Sequence, residues 1–174
     1  ESGGDIGLPG VIFVNDDLVL VMDGDLTGGD ISAGTADLTI GGDLTLDSLT
    51  TVGDATLDVG GDGDVTLFDI GGDLVMDIGG NLTFDELMSQ DLTLDVGGNV
   101  YGGDVDVATA DMNVGGDLTL DSLTTDGDAT LDVGDDTDID SIDVGGDFVL
   151  DGGGSFKFDQ LDADKVTVDV NGTI

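Results

Sequence analysis

The sequence predicts an all-β protein, a parallel β-solenoid of about 18.5 residues per coil with roughly nine coils in its 174 residues. Three observations point there. A 74-residue block occurs twice: residues 17–88 align on 91–162 without a gap, and 42 of the 72 positions are identical. Inside each block one phrase recurs: Asp or Asn, apolar, Thr, apolar, Asp, apolar, Gly-Gly. No stretch of ten or more residues carries a helical pattern, and the one proline is Pro9.

The elements follow in chain order. Residues 10–22 (GVIFVNDDLVLVM) are the most apolar stretch and depart most from the repeat. A segment spanning 1–16 is therefore expected to cap the first coil or to link subunits. Residues 17–90 form the first solenoid repeat and 91–164 the second; 165–174 (KVTVDVNGTI) echo 91–100 and start a third, all within one domain. The phrases fall in two series, one beginning at 43, 64, 81, 99, 117, 138 and 155, the other at 54, 73, 91, 128, 147 and 165. Apolar residues alternate within a phrase, as in a half-buried strand. Leu92, Leu94 and Val96 point one way and Asp91, Thr93 and Asp95 the other. The Gly-Gly pairs are expected at corners, where the chain takes positive φ.

An antiparallel sandwich also has turns every 8–12 residues. Nothing in a sandwich requires equivalent strands to look alike, so the duplicated phrase favours the solenoid. Two or three strands per coil are both open. The usual chirality of parallel crossovers makes the solenoid right-handed. Stacked at about 4.8 Å per coil, the chain is a rod about 45 Å long.

Composition narrows the function. Net charge is −38, with 40 acidic residues, and mean hydropathy is +0.18, so a core is affordable where a disordered chain has none. Of the acidic residues 38 are Asp and only Glu1 and Glu86 are Glu. Asp dominance points to turn geometry and oxygen ligation rather than to solubility alone. Lys157 and Lys165 are the only basic residues, which excludes nucleic-acid binding by phosphate neutralisation. An anionic membrane surface repels such a chain, and the apolar runs at 11–14 and 18–22 are too short to span a bilayer. Cys, His and Trp are absent, so there is no disulfide framework. The chain opens at Glu1 without Met, which reads as a processed or trimmed end.

The run GGDLTLDSLTT at 41–51 and again at 115–125, with DVGGD, DIGGN and GGDLV, resembles the repeats of filamentous-haemagglutinin-type exoproteins and autotransporter passengers. The resemblance covers roughly residues 17–174. It implies an extracellular right-handed β-helix used in adhesion and surface display. Curli-type amyloid subunits have coils of similar length, but their Gln and Asn ladders are missing here.

Stacked phrases stack their acids. One column is expected to hold Asp43, Asp54, Asp73, Asp91, Asp117, Asp128 and Asp147, distributed over the strand-starting corners; a second holds Asp47, Asp58, Asp77, Asp95, Asp121, Asp132 and Asp151. Carboxylates about 4.8 Å apart repel by about 0.9 kcal/mol in water. Ca²⁺, which takes six to eight oxygens with tolerant geometry, is the expected remedy. The alternative is a solvated acidic face with diffuse Na⁺ or Mg²⁺. The calcium phrase GGxGxDxUx is not matched, since residues 60–68 read GGDGDVTLF.

A Thr column (Thr45, Thr56, Thr66, Thr83, Thr93, Thr119, Thr130, Thr167) resembles that of ice-binding β-helices, but each strand has one Thr flanked by Asp. No enzyme is expected: the Ser–His and Cys–His pairs are absent, and no long insertion walls a cleft. A carboxylate pair of the glycosidase kind carries no specificity among so many Asp. Most aromatic residues fill apolar slots of the phrase; Tyr101 sits at an outward one.

Solenoids expose strand edges unless capped. With no convincing cap, the expected function is an extracellular structural protein that self-assembles head to tail into a cell-surface or biofilm filament, stabilised by calcium. The alternatives are a module of a long adhesin or surface-layer stalk, or an ice- or mineral-binding solenoid.

Overall fold

The computed structural model describes residues 4–174. All its strand pairings are parallel, and the described residues contain no helix. About nine coils stack one on another. Each coil has three strands, which closes the question the sequence leaves open. In the third coil, residues 44–46 and 48–51 form the first and second faces, joined by a bend at Asp47, and Ala55–Val59 forms the third.

Register is kept along the whole stack. On the first face Leu26 lies beside Leu44, Leu44 beside Gly63, Gly63 beside Leu82 and Leu82 beside Val100. The third face carries the most regular burial. Ala55, Leu57 and Val59 point inward while Thr56 and Asp58 point out, as period-two alternation requires. The columns continue through Leu74, Met76 and Ile78 to Leu92, Leu94 and Val96. One continuous apolar core results, with Phe68, Leu57, Leu74 and Phe148 almost fully buried. Each such side chain contributes roughly 1.5–3 kcal/mol. Phe68 and Phe84, from adjacent coils, meet edge to face at 6.4 Å, a favoured aromatic arrangement.

Residues 4–16 occupy the first two faces of coil 1. Ile6–Leu8 pairs with Leu26–Gly28, and Ile12–Phe13 pairs with Asp30–Ala33. Residues 1–3 of the 1–16 segment lie outside the described residues.

Two expectations are corrected. The first is register. The phrase starts at 64 and 138 are displaced by two residues, because Gly63, not Val65, takes the inward slot of Leu44 and Leu82. Likewise Thr137 takes the slot of Leu118. The alternating run DVTLF conceals this slip. The coil-starting positions are Asp62 and Asp136.

The second correction concerns glycine. Gly10, with φ 131°, is the one residue of positive φ among those described. The corner glycines serve close approach instead. A Cβ on Gly79 would lie 2.5 Å from the Gly60 carbonyl oxygen, and one on Gly97 2.6 Å from that of Gly79. Each first glycine thus sits directly on the backbone of the coil before it. Gly102 answers a different need: a Cβ there would enter the ring of Phe84 and come within 2.7 Å of Leu120 Cδ2.

Alanine at Gly79 is expected to destabilise the fold by about 1–3 kcal/mol, as overpacking does. Alanine at Gly53, whose nearest neighbour is Thr35 Cγ2 at 3.1 Å, is expected to cost less than about 1 kcal/mol. Urea titrations of the two variants check the order.

Candidate functional site

The predicted acid columns exist, but they divide differently. Asp43 and Asp117 lie at the corner that opens each coil. Asp54, Asp73, Asp91, Asp128 and Asp147 lie at the corner between the second and third faces. The single first column is therefore two, on separate edges of the rod. The second column divides as well. Asp58, Asp77, Asp95, Asp132 and Asp151 stand on the outer side of the third face. Asp47 and Asp121 sit at the bend between the first and second faces. The cause is three corners per coil where the phrase pattern alone distinguishes only two types of position. The Thr column splits in the same way, with Thr45 and Thr83 on the first face and Thr56 and Thr93 on the third.

The coil-opening corner carries a structure the sequence reading missed. The Asp62 backbone N–H donates to Asp43 Oδ1 at 2.9 Å, Asn81 N–H to Asp62 Oδ1 at 2.7 Å, and Asn99 N–H to Asn81 Oδ1 at 2.9 Å. Asp117 N–H then donates to Asn99 Oδ1 at 2.9 Å and Asp136 N–H to Asp117 Oδ1 at 3.0 Å. The series runs unbroken from Asp5 to Thr173, passing at its end through Ser155 Oγ. The Gly-Gly-Asx triplet now has a physical reading. The first glycine lets coils approach. The second leaves room for the side-chain oxygen arriving from below: a Cβ on Gly98 would lie 2.5 Å from Asn81 Oδ1, and those on Gly61, Gly80 and Gly116 would meet Asp43, Asp62 and Asn99 still closer. The third residue is Asp or Asn in every coil but the last, where Ser155 takes the place, because the side chain must be short and one extra methylene would carry a Glu oxygen past the N–H. This explains the excess of Asp over Glu better than solubility does. The missed members Asp5, Asp25, Asp62 and Asp136 were detectable, since the ladder repeats every 18 to 20 residues.

Electrostatics set the limits of the columns. Adjacent like charges in register cost each other energy. On the third face a run of Asp58, Asp77 and Asp95 is broken by Asn113, whose amide donates to Asp95 Oδ1 at 3.2 Å. On the coil-opening corner Asn81 and Asn99 interrupt the acids, and both still supply Oδ1 to the ladder. Among the described residues no three acidic side chains converge closely enough to enclose a metal ion. A column offers neighbouring pairs along a line, which suits an ion bridging two carboxylates and completed by water.

Both cations lie in the last coil, Phe156–Val170. Lys157 Nζ binds Asp138 at 2.8 Å and Lys165 Nζ reaches Asp147 Oδ2 at 3.4 Å. The hydrogen bond that Lys157 donates to the Asp138 carboxylate holds its ammonium above its ordinary pKa. Both pairs are exposed and add little stability. Tyr101 is outward as expected, with its hydroxyl accepting from Asn99 Nδ2 at 3.0 Å. Phe13 and Phe158 depart from the expected core role: Phe13 is 70% exposed because it stands in an outward slot beside Ser32, and Phe158 is 37% exposed because its inward slot lies in the last coil.

Comparison with protein-family models, curated proteins and solved structures gave no match. The chain is a β-solenoid repeat protein by its own geometry.

Asn at Asp62 keeps the ladder oxygen and removes a charge, so it is expected to raise Tm at low salt, with the gain shrinking as salt screens the column. Ala at Asp62 removes the acceptor and is expected to cost about 1 kcal/mol. Thermal melts at two ionic strengths separate the effects.

Proposed function

We propose that the chain is a structural element of an extracellular filament, growing by in-register addition of coils at its ends. The observation that carries this is the state of the end coils. Coil 9 has the same strand register as an interior coil, and beyond Phe156, whose N–H donates to the Thr173 carbonyl at 2.9 Å, its inward residues Phe158 and Val166 are exposed. Interior coils place a further coil there. The most economical occupant is another copy of the chain. Such a contact is heterologous, and heterologous contacts that do not close make filaments.

Calcium has a supporting role in this proposal. Bridging carboxylates of neighbouring coils relieves the repulsion along the columns, and the sites are the two Asp corners and the third-face column. The resemblance to haemagglutinin-type repeats supports an extracellular, adhesive setting. Catalysis plays no part.

A second reading is a module of a long adhesin or surface-layer stalk, whose next coil is covalent. One fit favours it. Phe84 in coil 5 packs on Gly102 in coil 6, and Phe158 stands 74 residues after Phe84 with no such glycine above it.

The purified chain is expected to elongate into fibres of uniform width in millimolar calcium and to shorten or dissociate with a chelator, as seen by negative-stain electron microscopy. A monodisperse monomer at high concentration in calcium would end the filament proposal.

A further inference from the structure

We infer that a hollow on the first face of coils 4–6 binds one unit of a neutral sugar chain, with Tyr101 as its platform. The site lies inside the stack and is independent of the filament proposed above.

Tyr101 is the only Tyr of the chain, and its ring lies outside the core, 46% exposed. In successive coils the first face places Asp64, Thr83 and Tyr101 side by side. The short Thr83 between two longer neighbours leaves a hollow of about 370 Å³. Tyr101 and Asn99 stand on one side of it, Asp62 and Asp64 on the other, with Asn81 and Thr83 between. The two sides are two coils, about 10 Å, apart. The backing is rigid, since Leu82 and Val100 are buried behind it and Gly102 packs against Phe84.

The corner ladder fixes how the two amides are turned. Asn81 Oδ1 accepts from the Asn99 N–H and Asn99 Oδ1 from the Asp117 N–H, so both Nδ2 groups are left for the surface. Asn99 Nδ2 donates one hydrogen to the Tyr101 hydroxyl at 3.0 Å, and Asn81 Nδ2 donates one to Asp62 Oδ1 at 3.3 Å. An amide nitrogen carries two hydrogens, so each keeps one. The Tyr101 oxygen accepts, which leaves its own hydrogen to donate. Asp62 Oδ2 and the Asp64 carboxylate add acceptors. A pyranose matches this set: its C–H face is apolar and fits an aromatic ring, and its edge hydroxyls both donate and accept.

Charge selects a neutral sugar. The outward residues of coil 6 on this face are Asn99, Tyr101 and Gly103, none of them charged. In coil 7 the same places hold Asp117, Thr119 and Asp121. In the other copy of the 74-residue block the aligned residues are Asp25, Thr27 and Gly29. Asn99 and Tyr101 therefore depart from the repeat together. Relief of repulsion along the corner accounts for Asn81 and Asn99 but not for a tyrosine beside them. The surrounding acids repel a polyanionic sugar. A cation finds a stronger field along the unbroken run of Asp58, Asp77 and Asp95 than beside two amides.

The test titrates the full chain with neutral hexasaccharides of glucose, mannose and N-acetylglucosamine, with galacturonate and glucosamine hexamers as charged controls. With one Tyr and no Trp, the intrinsic emission comes from Tyr101 and reports the site directly. At least one neutral hexamer is expected to change it saturably, with a Kd of about 0.1–1 mM, as suits an open site. Ligand-observed NMR then compares variants whose circular dichroism and Tm match wild type. Tyr101→Thr, which repeats the residue of coil 2, is expected to weaken binding about tenfold or more, and Tyr101→Phe, which keeps the ring, by about threefold. Asn99→Asp keeps the ladder oxygen and is expected to weaken binding about threefold. No saturable response to any neutral hexamer, or binding that Tyr101→Thr leaves unchanged, would overturn the site. A response to the glucosamine hexamer alone would overturn it too, in favour of a cation site. None of these outcomes bears on the filament.

Discussion

Everything in this molecule depends on how closely one coil settles on the next. Parallel strands stack about 4.8 Å apart, and at the coil-opening corner the glycine N–H groups carry the backbone ladder on, Gly61 donating to the Gly42 carbonyl at 3.0 Å, Gly80 to Gly61 at 2.9 Å and Gly98 to Gly80 at 2.8 Å. A side chain completes the corner. Each Asx oxygen accepts the backbone N–H of the Asx one coil on, at 2.7–2.9 Å through the middle of the stack. The two glycines before it are what the close approach demands. The core columns then follow without further instruction, because a fixed corner fixes the register of the three strands between corners.

This geometry also explains the unusual charge. A ladder of acceptors needs short side chains with oxygens, and Asp and Asn meet that need in every coil but the last, where Ser155 does. Asp brings repulsion with it. Asn81, Asn99 and Asn113 replace it without disturbing the neighbouring register, and Thr109 takes a place in the second corner line where its hydroxyl donates to Asp91 Oδ1 at 2.8 Å. Part of the acidity is therefore a by-product of corner geometry.

Much of the fold was legible because the sequence repeats itself. The alternation of Leu92, Leu94 and Val96 announced the third face, and the duplicated block announced stacking. The corners were less legible. Alternation in DVTLF at 64–68 looks like a coil start, and only the buried position of Gly63 reveals that the coil begins at Asp62. The φ of the glycines was misjudged for a related reason: a sequence shows that a side chain is excluded but not whether torsion or a neighbour excludes it. The division of the Asp residues over separate edges needed the number of strands per coil, which the phrase does not encode.

The most direct test of the corner ladder is amide hydrogen exchange at Asp62, Asn81, Asn99 and Asp117. These residues lie at turns on the surface, where an unpaired N–H exchanges at nearly the rate of an unfolded chain. With the ladder in place, their amides are expected to exchange as slowly as those of the neighbouring core strands. Fast exchange at all four, with the strands still protected, would contradict the account, and another interaction would have to hold the coils in register.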